Sequence, residues 1–127
     1  MSVLLDTSII VDHLRGDERA VRLLGELFDA EDRVWAATPT RTEVLAGIRD
    51  TERDSMTALF GILSWVDIDA PVADAAGELA RRYLRSHRGI GTTDYLIAAA
   101  AQSIGARLLT LNARHYPMFE DLRPAYR

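Results

Sequence analysis

Three apolar residues, Val3-Leu4-Leu5, run straight into Asp6-Thr7-Ser8-Ile9-Ile10, a junction that reads as a buried strand handing over to a helix. A carboxylate there stands at the carboxyl end of the strand, the edge at which open α/β sheets bind their ligands. The same grammar repeats along the chain. Residues 2–5 form a first strand, and a brief helix over 7–14 stops at Gly16, a residue suited to a helix C-terminus. From Glu18 to Ala30, Val21, Leu24, Leu27 and Phe28 fall at helical spacing, and Val34-Trp35-Ala36-Ala37 reads as a second strand. Pro39 fits the first turn of the next helix with Thr38 as its cap, and that helix ends between Gly47 and Asp50.

The second half continues the alternation. A helix over 51–64 carries Met56, Leu59, Phe60 and Leu63 on one face, a stripe that suits core or dimer contact. Val66-Asp67-Ile68 reads as a short strand, and residues 70–86 place Val72, Ala75, Ala76, Leu79, Tyr83 and Leu84 at helical spacing. After the loop His87–Gly91, an alanine-rich helix spans 93–104, Arg107-Leu108-Leu109-Thr110-Leu111 reads as a fourth strand, and a last extended piece falls near 123–126. Strands alternating with helices indicate an α/β/α sandwich around a short parallel sheet of four or five strands. The 127 residues, 48% apolar, suit one domain that buries roughly two thirds of its unfolded surface.

Composition removes several chemistries. Cysteine is absent, which excludes disulfides, thiolate nucleophiles and cysteine zinc sites. The longest apolar run, Tyr95 to Ala101, is far too short to cross a bilayer, and the amino terminus lacks signal-peptide features, so a soluble cytoplasmic protein is expected. A net charge of −4 argues against nucleic-acid binding driven chiefly by counterion release. Every basic side chain other than histidine is arginine, and Arg81, Arg82, Arg85 and Arg88 cluster in one segment. A solvated helix face accounts for most such clusters, although the guanidinium fork also suits phosphate.

Asp6 is joined by two further acids at comparable junctions, Glu43 in Thr38-Pro39-Thr40-Arg41-Thr42-Glu43-Val44-Leu45 and Asp94 in Gly91-Thr92-Thr93-Asp94-Tyr95-Leu96. Each has an ordinary explanation taken alone. Asp6 suits a helix N-cap, worth about 1 kcal/mol; Glu43 can close a capping box with Thr40; Asp94 in a first turn favours the helix dipole by a few tenths of a kcal/mol. Together they carry more weight, because the topology gathers all three around one crevice. Carboxylates about 4 Å apart repel by roughly 4 kcal/mol at an effective dielectric near 20, so such a cluster takes up protons or cations. Oxygen donors favour Mg²⁺ or Mn²⁺, which can activate water for phosphodiester hydrolysis without a protein nucleophile. No Gly-x-Ser-x-Gly elbow and no glycine-rich phosphate loop with lysine is present, which disfavours serine hydrolysis and nucleotide-triphosphate chemistry. A phosphoacceptor role for Asp6 would also need a nearby lysine.

These motifs, in this order, resemble the PIN-domain ribonucleases, and among them the VapC toxins of bacterial toxin–antitoxin pairs. Asp6-Thr7-Ser8-Ile9-Ile10 is similar to the family's opening motif, Thr40-x-x-Glu43-Val44-Leu45-Ala46-Gly47 to its second and Asp94-Tyr95-Leu96-Ile97-Ala98-Ala99 to its third. The resemblance implies a PIN-like fold and an endoribonuclease using Mg²⁺ or Mn²⁺ held by Asp6, Glu43 and Asp94. It also implies a usually dimeric toxin inhibited by a VapB-like antitoxin. Thr7 or Ser8 would orient Asp6 or a water. The fourth motif departs from the family's Thr-x-Asn-x-x-Asp-Phe: Thr110-Leu111-Asn112-Ala113-Arg114-His115-Tyr116 keeps Asn112 but has His115 in place of the acid. Asn112 is then expected to position a water or carboxylate. His115 is expected to be peripheral, as lone histidines more often are, with proton transfer, a metal or RNA phosphate as its other uses; His13 and His87 are given no role. The departure leaves a rival reading, an inert PIN-like module whose pocket binds a partner's arginine. An acidic pocket attracts a guanidinium in either case, and Trp35, Val44, Leu45 or the 51–64 helix is expected to receive the partner's apolar face.

Overall fold

The computed structural model describes residues 1–126. Four strands, β1 (Ser2–Leu5), β2 (Arg33–Ala37), β3 (Ser64–Val66) and β4 (Arg107–Leu109), form one all-parallel sheet in the order β3-β2-β1-β4. The chain steps outward from β1 through β2 to β3, then returns to lay β4 on the other side of β1. That reversal makes the carboxyl ends of β1 and β4 the switch point of the sheet, where a crevice opens by geometry alone.

Six helices cover the two faces: α1 (Thr7–Leu14), α2 (Glu18–Asp29), α3 (Thr38–Gly47), α4 (Arg53–Ile62), α5 (Ala70–Tyr83) and α6 (Thr92–Ser103). The period of two along each strand sorts its side chains between two cores. Val3, Leu5, Val34 and Ala36 join Ile9, Ile10, Leu24, Leu27, Met56, Leu59 and Phe60 on one face. Leu4, Ala37 and Leu108 join Val72, Ala76, Tyr95 and the alanines of α6 on the other. Small side chains at Ala98, Ala99, Ala100 and Ala101, all buried, let α6 lie close against the sheet and α5. Strong apolar periodicity with Asp69 capping its amino end, Val72 N to Asp69 Oδ1 at 3.0 Å, accounts for α5.

Most expected elements are present, with shifts that have local causes. The third strand lies two residues earlier than expected, because Trp35 pairs with Ser64 and Ala37 with Val66, while Asp67 and Asp69 close a turn into α5. Thr38 does not cap α3. The helix begins from Ala37 without a side-chain cap, and Thr38 Oγ1 accepts from Ile68 N at 3.3 Å, tying α3 to the turn after β3. The helix expected over 51–64 is a short 3₁₀ turn, Asp50–Glu52, followed by α4, since Glu52 Oε1 turns back to accept from Arg49 N at 2.8 Å. β4 stops at Leu109 because Thr110 turns its hydroxyl inward. Among the described residues, 123–126 form no strand; they are tied back by one backbone bond, Ala125 N to Thr110 O at 2.8 Å.

The apolar surface expected to meet a partner is smaller than its sequence suggests. Val44 is buried, Trp35 is half-buried, and the Met56–Leu59–Phe60–Leu63 stripe lies in the core. On that side Leu45 and Ile62 remain open, at 45% and 62% exposure. No helix among the described residues is long and apolar enough to cross a membrane.

Leu4, fully buried in the innermost part of the sheet, and the exposed Ile62 bracket the energetics. Leu4→Ala is expected to lower stability in urea by about 2–5 kcal/mol, whereas Ile62→Ala is expected to change it by less than about 0.5 kcal/mol.

Candidate active site

Asp6 is the buried centre of the crevice, at 3% exposure. Its backbone N–H still belongs to the sheet, donating to Leu109 O at 3.0 Å, while its side chain caps α1. Oδ1 accepts from Ser8 N at 3.0 Å and from the Ser8 hydroxyl. Oδ2 accepts from Thr110 Oγ1 at 2.5 Å and, more distantly, from the Tyr116 hydroxyl at 3.4 Å. No arginine pairs with it among the described residues. Burial therefore pushes the Asp6 carboxyl above the ordinary range, and the bonds from Ser8 and Thr110 pull it only part of the way back.

Asp94 stands in the first turn of α6, opposite Asp6. Oδ1 accepts from the Tyr116 hydroxyl at 3.3 Å and Oδ2 from Gly91 N at 3.3 Å, and His115 Nδ1 lies 3.1 Å from Oδ2. Tyr116 thus sits between two carboxylates with one proton to offer. Its burial, then the negative charge of both acids, pushes the phenol far above its usual range, so it stays protonated and remains a donor. Glu43 is the exposed member. Instead of closing a capping box, it accepts from Thr7 Oγ1 at 2.5 Å. Thr7, having spent its only proton on Glu43, must accept from Thr40 Oγ1 at 3.1 Å, so two hydroxyls in series aim the carboxylate.

The acids expected from the sequence therefore share one edge, with Asp6 and Asp94 bridged by Tyr116 and Glu43 connected through Thr7. They do not form a closed cage: among the described residues no three acid or histidine side chains stand close enough to grip an ion together. The supporting residues divide differently from expectation. Ser8 orients Asp6, but Thr7 serves Glu43. Asn112 enters through its backbone, donating from N to Thr110 Oγ1 at 2.9 Å. His115, expected to be peripheral, stands beside the site, with Nδ1 3.1 Å from Asp94 Oδ2. Thr110 and Tyr116 were given no role from the sequence, and Thr40 only that of a capping-box partner for Glu43. Thr110 carries a readable signal, because it ends the apolar run of β4 as Asp6 ends that of β1; Tyr116 shows nothing comparable until the fold is known.

The donor set suits a hard divalent cation. Carboxylates and hydroxyls supply only oxygen, and Asp6 is a desolvated carboxylate that no side-chain cation among the described residues offsets. The PIN domain family model matches residues 3–119, nearly the whole of this arrangement. This chain belongs to the PIN-domain family. As a PIN domain it is similar to Ribonuclease VapC19 of Mycobacterium tuberculosis, 48% identical over 123 residues that cover 97% of this chain and 98% of that one. Ribonuclease VapC10 of the same organism is 37% identical over 125 residues, covering 98% of this chain and 92% of its own. Among solved structures, VapBC2 from Rickettsia felis bound to a promoter DNA fragment superposes with a TM-score of 0.79 at 21% identity, covering 98% of this chain and 97% of that one. VapBC-1 from nontypeable Haemophilus influenzae gives 0.75 at 21% identity, covering 99% and 98%. At that identity the structural likeness speaks for the PIN fold, while the close sequence relatives speak for the family.

The raised carboxyl of Asp6 has a defined pH consequence. An acid whose folded-state pKa lies above its unfolded value binds its proton more tightly when folded, so ionisation costs stability at pH values above the folded pKa. As pH falls through that value the cost disappears. Asp6→Asn, which keeps the cap and removes the charge, is expected to raise the melting temperature of metal-free protein at pH 7 by a few degrees. The gain should shrink as pH is lowered into the acid range; a constant gain at all pH values would show that the charge of Asp6 is not its source.

Proposed function

We propose that the protein is a metal-dependent endoribonuclease and the toxin component of a toxin–antitoxin pair. Asp6 carries this reading: a buried carboxylate with no cation beside it among the described residues, joined through Tyr116 to Asp94, in a PIN domain whose near relative is named a ribonuclease. Asp6, Glu43 and Asp94 would hold Mg²⁺ or Mn²⁺. When bound, such an ion supplies the Lewis acidity that activates water and offsets charge on the phosphate being cleaved.

The chain's own residues account for the rest. Ser8 and Thr110 fix both oxygens of Asp6, leaving the carboxylate little rotational freedom. Tyr116 restrains Asp94 from one side and His115 from the other. Thr7, backed by Thr40, turns Glu43 toward the same edge from α3. Every oxygen donor is thus aimed by a neutral hydroxyl or an N–H, which orients a carboxylate without cancelling its charge. The site is open on the Glu43 side, as a large polymeric substrate requires.

The rival reading, an inert binding module, rested on His115 standing where the family carries an acid. His115 stands against Asp94 all the same, and the ribonuclease names of the close sequence relatives favour hydrolysis. A VapB-like antitoxin as partner fits the structural relatives, which include toxin–antitoxin complexes. It also fits the acidic crevice, which would accept a guanidinium in competition with metal. A homodimer and an RNA substrate complete the proposal.

Cleavage of total RNA by purified, antitoxin-free protein with Mg²⁺, Mn²⁺ or chelator is the direct test. Discrete fragments are expected with either metal and none with chelator. Asp6→Asn is expected to reduce cleavage by about 100-fold or more and to abolish the rise in melting temperature that Mn²⁺ gives the wild type. Wild-type cleavage by Asp6→Asn would remove Asp6 from the mechanism.

A further inference from the structure

His115 connects the acidic crevice to a second feature. Its Nδ1 lies 3.1 Å from Asp94 Oδ2, and the residue also lines a hollow of about 550 Å³, together with His87, Arg88, Ala113, Arg114 and Pro117. Two guanidiniums and two imidazoles face this space and no carboxylate lines it, although the chain as a whole carries a net charge of −4. Arg88 and Arg114 are exposed, and neither is ion-paired among the described residues. Of the arginine cluster evident in the sequence, Arg88 is the member that reaches this place; Arg81 and Arg82 border a different hollow beside Glu78.

The two walls are held in register by the active site itself. One is the loop after α5, where Gly89 adopts φ +88°, Ile90 is buried, and Gly91 N donates to Asp94. The other is the 3₁₀ turn Ala113–His115, which reaches the same carboxylate through His115. His87 is oriented too: Nδ1 bonds Ser86 Oγ at 2.8 Å and the ring packs edge-on against Tyr83 at 5.6 Å, leaving Nε2 as its remaining polar atom.

We propose that this hollow seats the phosphodiester backbone of the RNA strand next to the bond that is cut, with Arg88 and Arg114 as the phosphate-contacting residues. The proposal rests on the ribonuclease reading and deepens it. Its volume is on the order of that needed by a nucleotide-sized ligand. Unpaired guanidinium forks suit phosphate oxygens in two-point contact, and Asp94 beside them places the strand at the hydrolytic edge. A local cationic cradle also resolves the conflict between an acidic protein and an anionic substrate, since close contacts at one patch matter more than net charge once screening is in force.

The experiment uses the Arg88→Ala/Arg114→Ala double variant, in the wild-type background for cleavage and in Asp6→Asn for binding. Binding is read as anisotropy of a labelled single-stranded RNA of mixed sequence across a salt series. The double variant is expected to bind about tenfold more weakly or worse, and to lower the slope of log affinity against log salt by about 1.4, the share of two phosphate contacts on a single strand. The Mn²⁺-induced thermal shift of the double variant in the wild-type background should be unchanged, and Arg88→Lys/Arg114→Lys should recover part of the affinity. Unchanged affinity and slope would overturn the cradle even if the wild type cuts RNA. RNA binding that depends on the two arginines, in a protein that cuts nothing, would sink the ribonuclease reading and leave the cradle standing; neither binding nor cleavage would overturn both.

Discussion

The burial of one carboxylate governs the arrangement of this domain. Asp6 leaves water at the end of β1, and the structure compensates with three hydroxyls and the backbone N–H of Ser8. Two of the hydroxyls come from far along the chain, Thr110 from the end of β4 and Tyr116 from beyond it, while Ser8 stands in the adjoining first turn of α1. A buried ionised group without a counter-charge is costly, and the cost is tolerated here because the same carboxylate stands at the switch point of a parallel sheet. Stability is given up at the place where the proposed chemistry would require an unneutralised anion.

Charge around the site is segregated by direction. Carboxylates from β1, α3 and α6 gather at the carboxyl edge of the sheet, while Arg88, Arg114 and two histidines gather beside Asp94 on the adjoining surface. His115 lies at the border and touches both. The substitution of histidine for the acid usual in this family thus moves the boundary between the acidic and basic zones by one side chain.

Much of the fold was legible because apolar periodicity is a local signal. The runs at 3–5 and 34–37 identified β1 and β2, and the spacing of Val72, Ala76 and Leu79 identified α5. The third strand was misplaced by two residues because Leu63-Ser64-Trp65-Val66-Asp67-Ile68 offers two overlapping strand readings, and only the pairing of Trp35 with Ser64 decides between them. The three acids were legible from their positions at element junctions. Their supports were not: the bond from Thr7 to Glu43 spans 36 positions and that from Thr110 to Asp6 spans 104, so neither leaves a pattern along the chain. His87 was unreadable for the same reason, since its neighbour Arg114 reaches it only through tertiary structure.

The sheet order has a consequence for synthesis. Because β4 docks beside β1, the first strand made waits for one of the last, and Asp6 acquires Thr110 and Tyr116 only when residues 107–116 are in place. A chain made only as far as residue 106 holds Asp6 without Thr110 and Tyr116, and Asp94 without Tyr116. Long-range closure of this kind is late in folding. The crevice is therefore complete only after synthesis has passed the fourth strand and the turn behind it.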